Sequence, residues 1–238
     1  DTTAVTADKP LIKQREGVAP AGELWLQETA DEQDLSFDVE TNLYKATISN
    51  KNGGSFTFFE LNNHALNDSE LVNLINDRNQ QNLDVSFRSV DGDLITLSSG
   101  WKTDNRFDIN VFTGSKTVSF YKTINNKKIT KDLTFYPNRY IVDIIINMSR
   151  ASEYISQNVA SISWQYGLPL TEPNINDELT YYSAVVYQGD ESYYPKTKPK
   201  GQAKLEKMLY PTDWTGVRTK YFFSAHSNRC SILTSSDK

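Results

Sequence analysis

The chain has 238 residues, a formal net charge of −5 and a pI near 5.2, which suits one large domain, since an all-β sandwich reaches ~200–250 residues as a single unit. With 38% apolar and 23% charged residues it is too hydrophobic to stay disordered, and its acidity removes the electrostatic footprint of a nucleic-acid binder. A lone cysteine, Cys230, excludes an intramolecular disulfide and a thiolate metal cluster, and with only His64 and His226 there is little room for zinc or for Ser-His and Cys-His catalysis. No stretch offers the ~20 consecutive apolar residues of a spanning helix; residues 140–148 come nearest and are broken by Asp143. The first twenty residues lack an apolar signal-peptide core. The chain opens with Asp1 and its only methionines are Met148 and Met208, so we expect a piece of something longer.

Residues 1–22 are rich in Thr, Ala, Lys, Glu and Pro without periodicity and predict a flexible linker, with one folded domain over 23–238. From there the period is two. Leu35-Ser-Phe-Asp-Val39 and Leu43-Tyr-Lys-Ala-Thr-Ile-Ser49 alternate, and the turn Asn50-Lys-Asn-Gly-Gly54 joins the second to Ser55-Phe-Thr-Phe-Phe-Glu-Leu61 as a hairpin. The segment 68–77 fits either a short helix capped by Asp68 or an edge strand over Leu71-Val-Asn-Leu-Ile75. Strand signals resume at 85–90, 94–98, 116–123 and 129–136. Tyr140 to Met148 is apolar on both faces except at Asp143 and Asn147, as a strand covered on both sides would be. Residues 155–166, 179–187 and 214–225 predict three more strands. Ten or more strands with almost no helical period predict an all-β fold, an antiparallel two-sheet sandwich with at most one short helix.

Three passages carry a family resemblance. Tyr44-Lys-Ala-Thr-Ile-Ser-Asn-Lys-Asn-Gly-Gly-Ser-Phe56 places a strand before a Gly-Gly turn and a Phe-rich return strand. Thr130-Lys-Asp-Leu-Thr-Phe-Tyr-Pro-Asn-Arg-Tyr-Ile-Val-Asp-Ile144 and Asp213-Trp-Thr-Gly-Val-Arg-Thr-Lys-Tyr-Phe-Phe-Ser-Ala225 follow in order. Over residues 35–225 the set resembles the periplasmic domain of the YidC/Oxa-type membrane protein insertases. The resemblance implies a β-supersandwich related to the galactose-mutarotase-like fold, on the periplasmic side of the bacterial inner membrane, within a multi-pass protein. It also implies that insertion is performed by a membrane-embedded core absent here, so neither Arg139 nor Arg218 takes the role of that core's arginine. The family's pattern continues past Lys238, and we expect both ends to be truncated and C-terminal strands to be missing.

Candidate chemistry is sparse. His64 follows a strand in a loop setting and His226 stands at a strand end; solvent-exposed polar residues are the default for both. The alternative is a mutarotase-like sugar site pairing a histidine with a carboxylate from Glu172, Asp177, Glu178, Asp190 or Glu191. Asp91-Gly-Asp93 is turn chemistry rather than a calcium cage, and the sequons at Asn67 and Asn147 arise by chance in an Asn-rich chain. The aromatic stretch around Trp164, Tyr181-Tyr182 and Tyr193-Tyr194 is core by the burial habit of large rings, or else the lining of a cleft for a peptide or sugar. Lys196, Lys198, Lys200, Lys204 and Lys207 form the one basic patch, a solvated loop or a contact with anionic lipid headgroups.

The reading is therefore a non-catalytic docking and scaffold module for insertion and folding of membrane proteins. No residue is assigned a catalytic, cofactor-binding or metal-binding role. By the resemblance its partners are the Sec translocon with accessory subunits, and substrate membrane proteins through the absent transmembrane core. The alternative is a free-standing carbohydrate-binding or aldose-epimerase-like sandwich.

Overall fold

A computed structural model describes residues 34–75, 82–124, 126–164, 167–195, 211–227 and 231–233. The expected linker 1–22, the lysine-rich patch over 196–207 and Cys230 lie outside the described residues. In chain order the strands are β1 (Ser36–Thr41), β2 (Tyr44–Ser49), β3 (Ser55–Ala65), β4 (Leu71–Asn73), β5 (Asn82–Ser89), β6 (Leu94–Thr96), β7 (Lys102–Thr103), β8 (Ile109–Val111) and β9 (Lys116–Ile124). Then come β10 (Lys127–Phe135), β11 (Val142–Asn147), β12 (Ile155–Trp164), α1 (Ile175–Tyr181), which is the single α-helix among the described residues, β13 (Ser183–Gln188), β14 (Glu191–Tyr193), β15 (Thr212–Arg218), β16 (Phe223–Ser227) and β17 (Ser231–Leu233). The protein is all-β, as its alternation predicts.

The described strands divide among four sheets, ordered β4-β3-β2-β1-β8, β17-β11-β10-β9-β7, β12-β5-β6 and β14-β13-β15-β16. Every ladder is antiparallel except β1–β8 and β11–β17. Period two is what builds the first two sheets. In β1 it buries Phe37, Val39 and Thr41; in β10 it buries Ile129, Lys131, Leu133 and Phe135. One cluster of buried side chains, including Ile48, Phe56, Val85, Trp101, Phe120 and Leu133, draws on the first three sheets. The fourth sheet buries Val185 and Val186, which do not join that cluster.

Two turns fix this body. At the β2–β3 hairpin Gly53 and Gly54 take φ of 69° and 104°. A Cβ on Gly53 would come within 2.7 Å of the Trp101 indole, and one on Gly54 within 2.7 Å of Phe120. Both the backbone conformation and the close approach therefore demand glycine. Trp101 is fully buried and its Nε1 donates to Leu97 O at 2.7 Å.

Alternation also carries two lysines inward. Lys122 donates to Ser99 O at 2.7 Å. Lys131, fully buried, donates to Asn52 O at 2.9 Å and to Leu83 O at 2.7 Å. Asn52 and Leu83 both have positive φ, 57° and 58°. Lys131 thus ties the β2–β3 turn at Asn52 to the bulge in β5 at Leu83.

Three sequence expectations are corrected and one left open is decided. Of segment 68–77, the described residues 68–75 hold the edge strand β4, one of its two readings; the helix reading fails because Asn67 Oδ1 accepts from the amides of Ser69 and Glu70, closing a turn in place of a cap at Asp68. The strand expected over 179–187 is in part α1, which Asn174 caps by accepting from Asp177 N at 3.2 Å, with Asp177 and Glu178 in its first turn. The strand expected over 214–225 is a hairpin, because Thr219 N donates to Phe222 O and Phe222 N to Thr219 Oγ1. Finally, β11 is covered on one face: Ile144 and Ile146 are buried, but Ile145 is 41% exposed.

Candidate functional site

A cleft of about 370 Å³ lies where β3, β11, β12 and the β15–β16 hairpin converge. Its floor is aromatic. Phe56 packs edge-on against Phe59 at 5.6 Å, and Trp164 lies 6.5 Å from Phe56 between ring centroids. Leu61, Val142 and Ile144 complete the apolar wall. Such a cleft with few polar groups is the usual form of a binding site.

Both histidines reach it. His64 ends β3 rather than sitting in a loop, is exposed, and packs its ring against Phe222 at 5.8 Å and Tyr140 at 6.5 Å. His226 lies within β16, partly buried, with its ring 5.2 Å from Trp164. Its Nε2 is shut off from solvent and has no hydrogen-bond partner among the described residues. Burial accordingly holds its pKa below the ordinary imidazole value. His64 is exposed as the sequence suggests, though on a strand, whereas His226 is not the plain strand-end residue expected.

The carboxylates weighed as partners go elsewhere. Glu178 is fully buried, accepting from Thr171 N at 2.8 Å and Glu172 N at 2.9 Å, so it braces the loop before α1. Asp177 binds Lys220 Nζ at 2.6 Å and holds that ammonium charged beyond the ordinary lysine range. Asp190 and Glu191 are exposed at the β13–β14 turn, where Asp190 has a φ of 62°. No carboxylate lines the cleft among the described residues. The histidine–carboxylate pair of a sugar epimerase is therefore not brought together there.

Two further concavities flank the hairpin. Behind the first, a cavity of about 230 Å³ shares its Trp164, Leu168, Ser224 and His226 and is completed by Val186 and Val217. On the outer face of the β13–β16 sheet, a hollow of about 340 Å³ runs past Tyr194, Trp214, Arg218 and Phe223. Tyr187 stacks on Trp214 at 5.3 Å with 2° between planes, Phe223 meets Trp214 edge-on, and the Arg218 guanidinium sits 5.5 Å over Tyr194. Of the aromatic stretch that sequence assigns to core or cleft, Trp164 lines the cleft, while Tyr181, Tyr193 and Tyr194 are exposed and correct the core reading.

The other motifs are structural. Asp91-Gly-Asp93 is the β5–β6 turn, where Ser89 N donates to Asp93 O. Asn147 Oδ1 accepts from Ser149 N and Oγ, an Asx turn like that of Asn67. No group of three metal-ligating side chains occurs among the described residues, and no described helix is long and apolar enough to cross a membrane.

The three passages of the resemblance fall on β2–β3, β10–β11 and β15–β16. Residues 36–228 match the family model for the YidC periplasmic domain. The membrane protein insertase YidC of Chlorobium phaeovibrioides is 28% identical over 191 residues, which are 79% of this chain and 33% of that protein. That of Chloroherpeton thalassium is 28% identical over 205 residues, 80% of this chain and 33% of the relative. That of Syntrophus aciditrophicus is 29% identical over 242 residues, 96% of this chain and 42% of the relative. The chain spans about a third of the length of the first two of these curated relatives. With the match running from β1 through β16, the chain belongs to the YidC periplasmic domain family.

Proposed function

We propose that this domain is the periplasmic docking and scaffold module of a bacterial inner-membrane insertase, without catalysis of its own. The observation that carries the reading is the family match over residues 36–228, which takes in both the cleft and the aromatic outer sheet. Its partners are the Sec translocon and accessory subunits, while substrate membrane proteins are handled by the transmembrane part of the whole insertase. The chemistry of the cleft supports this reading, since its wall is mostly apolar, with two imidazoles and the hydroxyl-bearing Tyr140, Tyr221 and Ser224. The exposed rings of Tyr193, Tyr194, Tyr221 and Phe223 offer the contact surface that protein interfaces favour.

Photo-crosslinking tests it. A benzophenone side chain at Tyr194 or Phe223, in an insertase carrying this domain, is expected to yield adducts with translocon subunits. Adducts of the same intensity from Thr117 on exposed β9 would sink the docking surface. Turnover of any aldose by the purified domain would sink the non-catalytic reading. Lipid contact through Lys196, Lys198, Lys200, Lys204 and Lys207 is a separate proposal: their joint replacement by Gln is expected to weaken flotation with anionic liposomes, and unchanged flotation would end it.

A further inference from the structure

The two cavities on the inner side of the β15–β16 hairpin, about 370 Å³ and about 230 Å³, share Trp164, Leu168, Ser224 and His226 in their walls. The His226–Trp164 contact is therefore the partition between them. It is an odd partition. An imidazole with Nε2 shut off from solvent and no hydrogen-bond partner among the described residues sits against an indole at 5.2 Å. Charging the ring puts a proton on both nitrogens, so Nε2 becomes a donor with nothing to receive it.

We propose that the His226–Trp164 contact is a pH-sensitive latch: protonating the imidazole frees the β15–β16 hairpin from β12 and joins the two cavities into one apolar chamber. The hairpin is suited to move. Among the described residues β16 pairs only with β15, so no second ladder restrains it. Its buried neighbours Val185 and Val186 stand apart from the main cluster, and of the hairpin's own residues Phe222 alone, partly buried in the turn, packs against that cluster.

The electrostatic surroundings let one group decide. Besides His226, the titratable side chains facing the cleft among the described residues are His64 of β3, Tyr140 before β11 and Tyr221 in the β15–β16 turn, and His226 alone faces the second cavity. The β16 segment 223–227 has no charged residue besides His226 itself, and β12 has none. No carboxylate among the described residues lines either cavity to stabilise the imidazolium. Burial holds the His226 pKa below its ordinary 6.5, so the closed state resists the proton. As pH falls through about 6.5 an opened hairpin takes it up and the closed one does not, which shifts the balance toward opening until the closed-state pKa is passed.

With two histidines in the chain, the test is direct. The imidazole carbon resonances of His226 and His64 are titrated by NMR, alongside binding of a hydrophobic dye and far-ultraviolet circular dichroism. His226 is expected to titrate below the ordinary imidazole value. Dye binding should rise severalfold between about pH 7.5 and about pH 5 with the β signal unchanged. The rise should vanish in His226→Phe and persist in His64→Gln. His226→Gln, neutral and smaller, serves if the Phe variant fails to fold. A dye step that survives in the His226 variants overturns the latch, as does His226 titrating at the ordinary imidazole value with no dye response. Loss of the β signal together with the step also overturns it, because the event is then unfolding.

Discussion

The body formed by the first two sheets and the outer β13–β16 sheet are made of the same strand-forming residues, yet they are held in different ways. In the body, alternation drives every second side chain into one cluster, and even its lysines are drawn inside and satisfied by carbonyls, as Lys131 is by Asn52 and Leu83. In the outer sheet, rings stack on one another at the surface, Tyr187 on Trp214 and Trp214 against Phe223, and Arg218 covers Tyr194. Its helix is anchored by a buried carboxylate, Glu178, through two loop amides. Burial in a common core gives the first region its rigidity; local pairings give the second its shape and leave it room to move. That room is where the cavities lie.

The largest test of this contrast is Lys131→Ala. It leaves two buried carbonyls without their donor and opens a void, which costs about 3–5 kcal/mol. Urea unfolding should show the loss across the whole molecule, and a change below about 1 kcal/mol would mean the lysine is not a tie between turn and bulge. Glu178→Gln comes next, at about 1–3 kcal/mol, and its effect should be local. Amide exchange should accelerate in residues 171–181 while the β9–β10 ladder keeps its protection; a uniform loss would erase the distinction between the regions.

A third variant sharpens the picture from the opposite side. Tyr44 is fully buried on the Phe59 ring at 4.4 Å, yet its hydroxyl has no hydrogen-bond partner among the described residues. Burial alone raises its pKa well above the ordinary phenol. Tyr44→Phe removes that stranded hydroxyl and should be neutral or stabilising by up to about 1 kcal/mol. A loss beyond about 1 kcal/mol would show that the hydroxyl is satisfied after all. The smallest effect belongs to the surface pair Lys45–Asp38 at 3.0 Å. Burial pushes the Asp38 pKa up, but hydrogen bonds from Thr47 and Lys45 outweigh it and hold the carboxyl below its ordinary value. Its contribution is therefore present above about pH 4 and lost as pH falls further. Lys45→Gln should cost less than about 1 kcal/mol, and less still in high salt.

The same contrast explains what was legible in the sequence. Strands whose side chains alternate against one core, such as residues 43–49 and 129–135, announce themselves, because burial on a single face imposes period two. Elements fixed by a side chain speaking to nearby backbone do not. The Asn67 turn, the Asn174 cap and the Thr219 turn each redirected a segment that periodicity left as helix or strand. The Asn174 signal was available, since a cap residue followed by Asp177 and Glu178 marks a helix start. The inward lysines were partly legible too: Lys122 and Lys131 occupy buried positions in the β9 and β10 alternation.

By itself the sequence determined the all-β character, the Gly-Gly hairpin and the family to which the ordered motifs belong, because these rest on local periodicity and turn stereochemistry. Only the tertiary structure decided that His64 and His226, far apart in the chain, share one cleft, and that the carboxylates near residues 172–191 point to backbone and lysine instead of to them. Such neighbours are set by how sheets stack, and stacking depends on contacts between distant segments that no local pattern encodes.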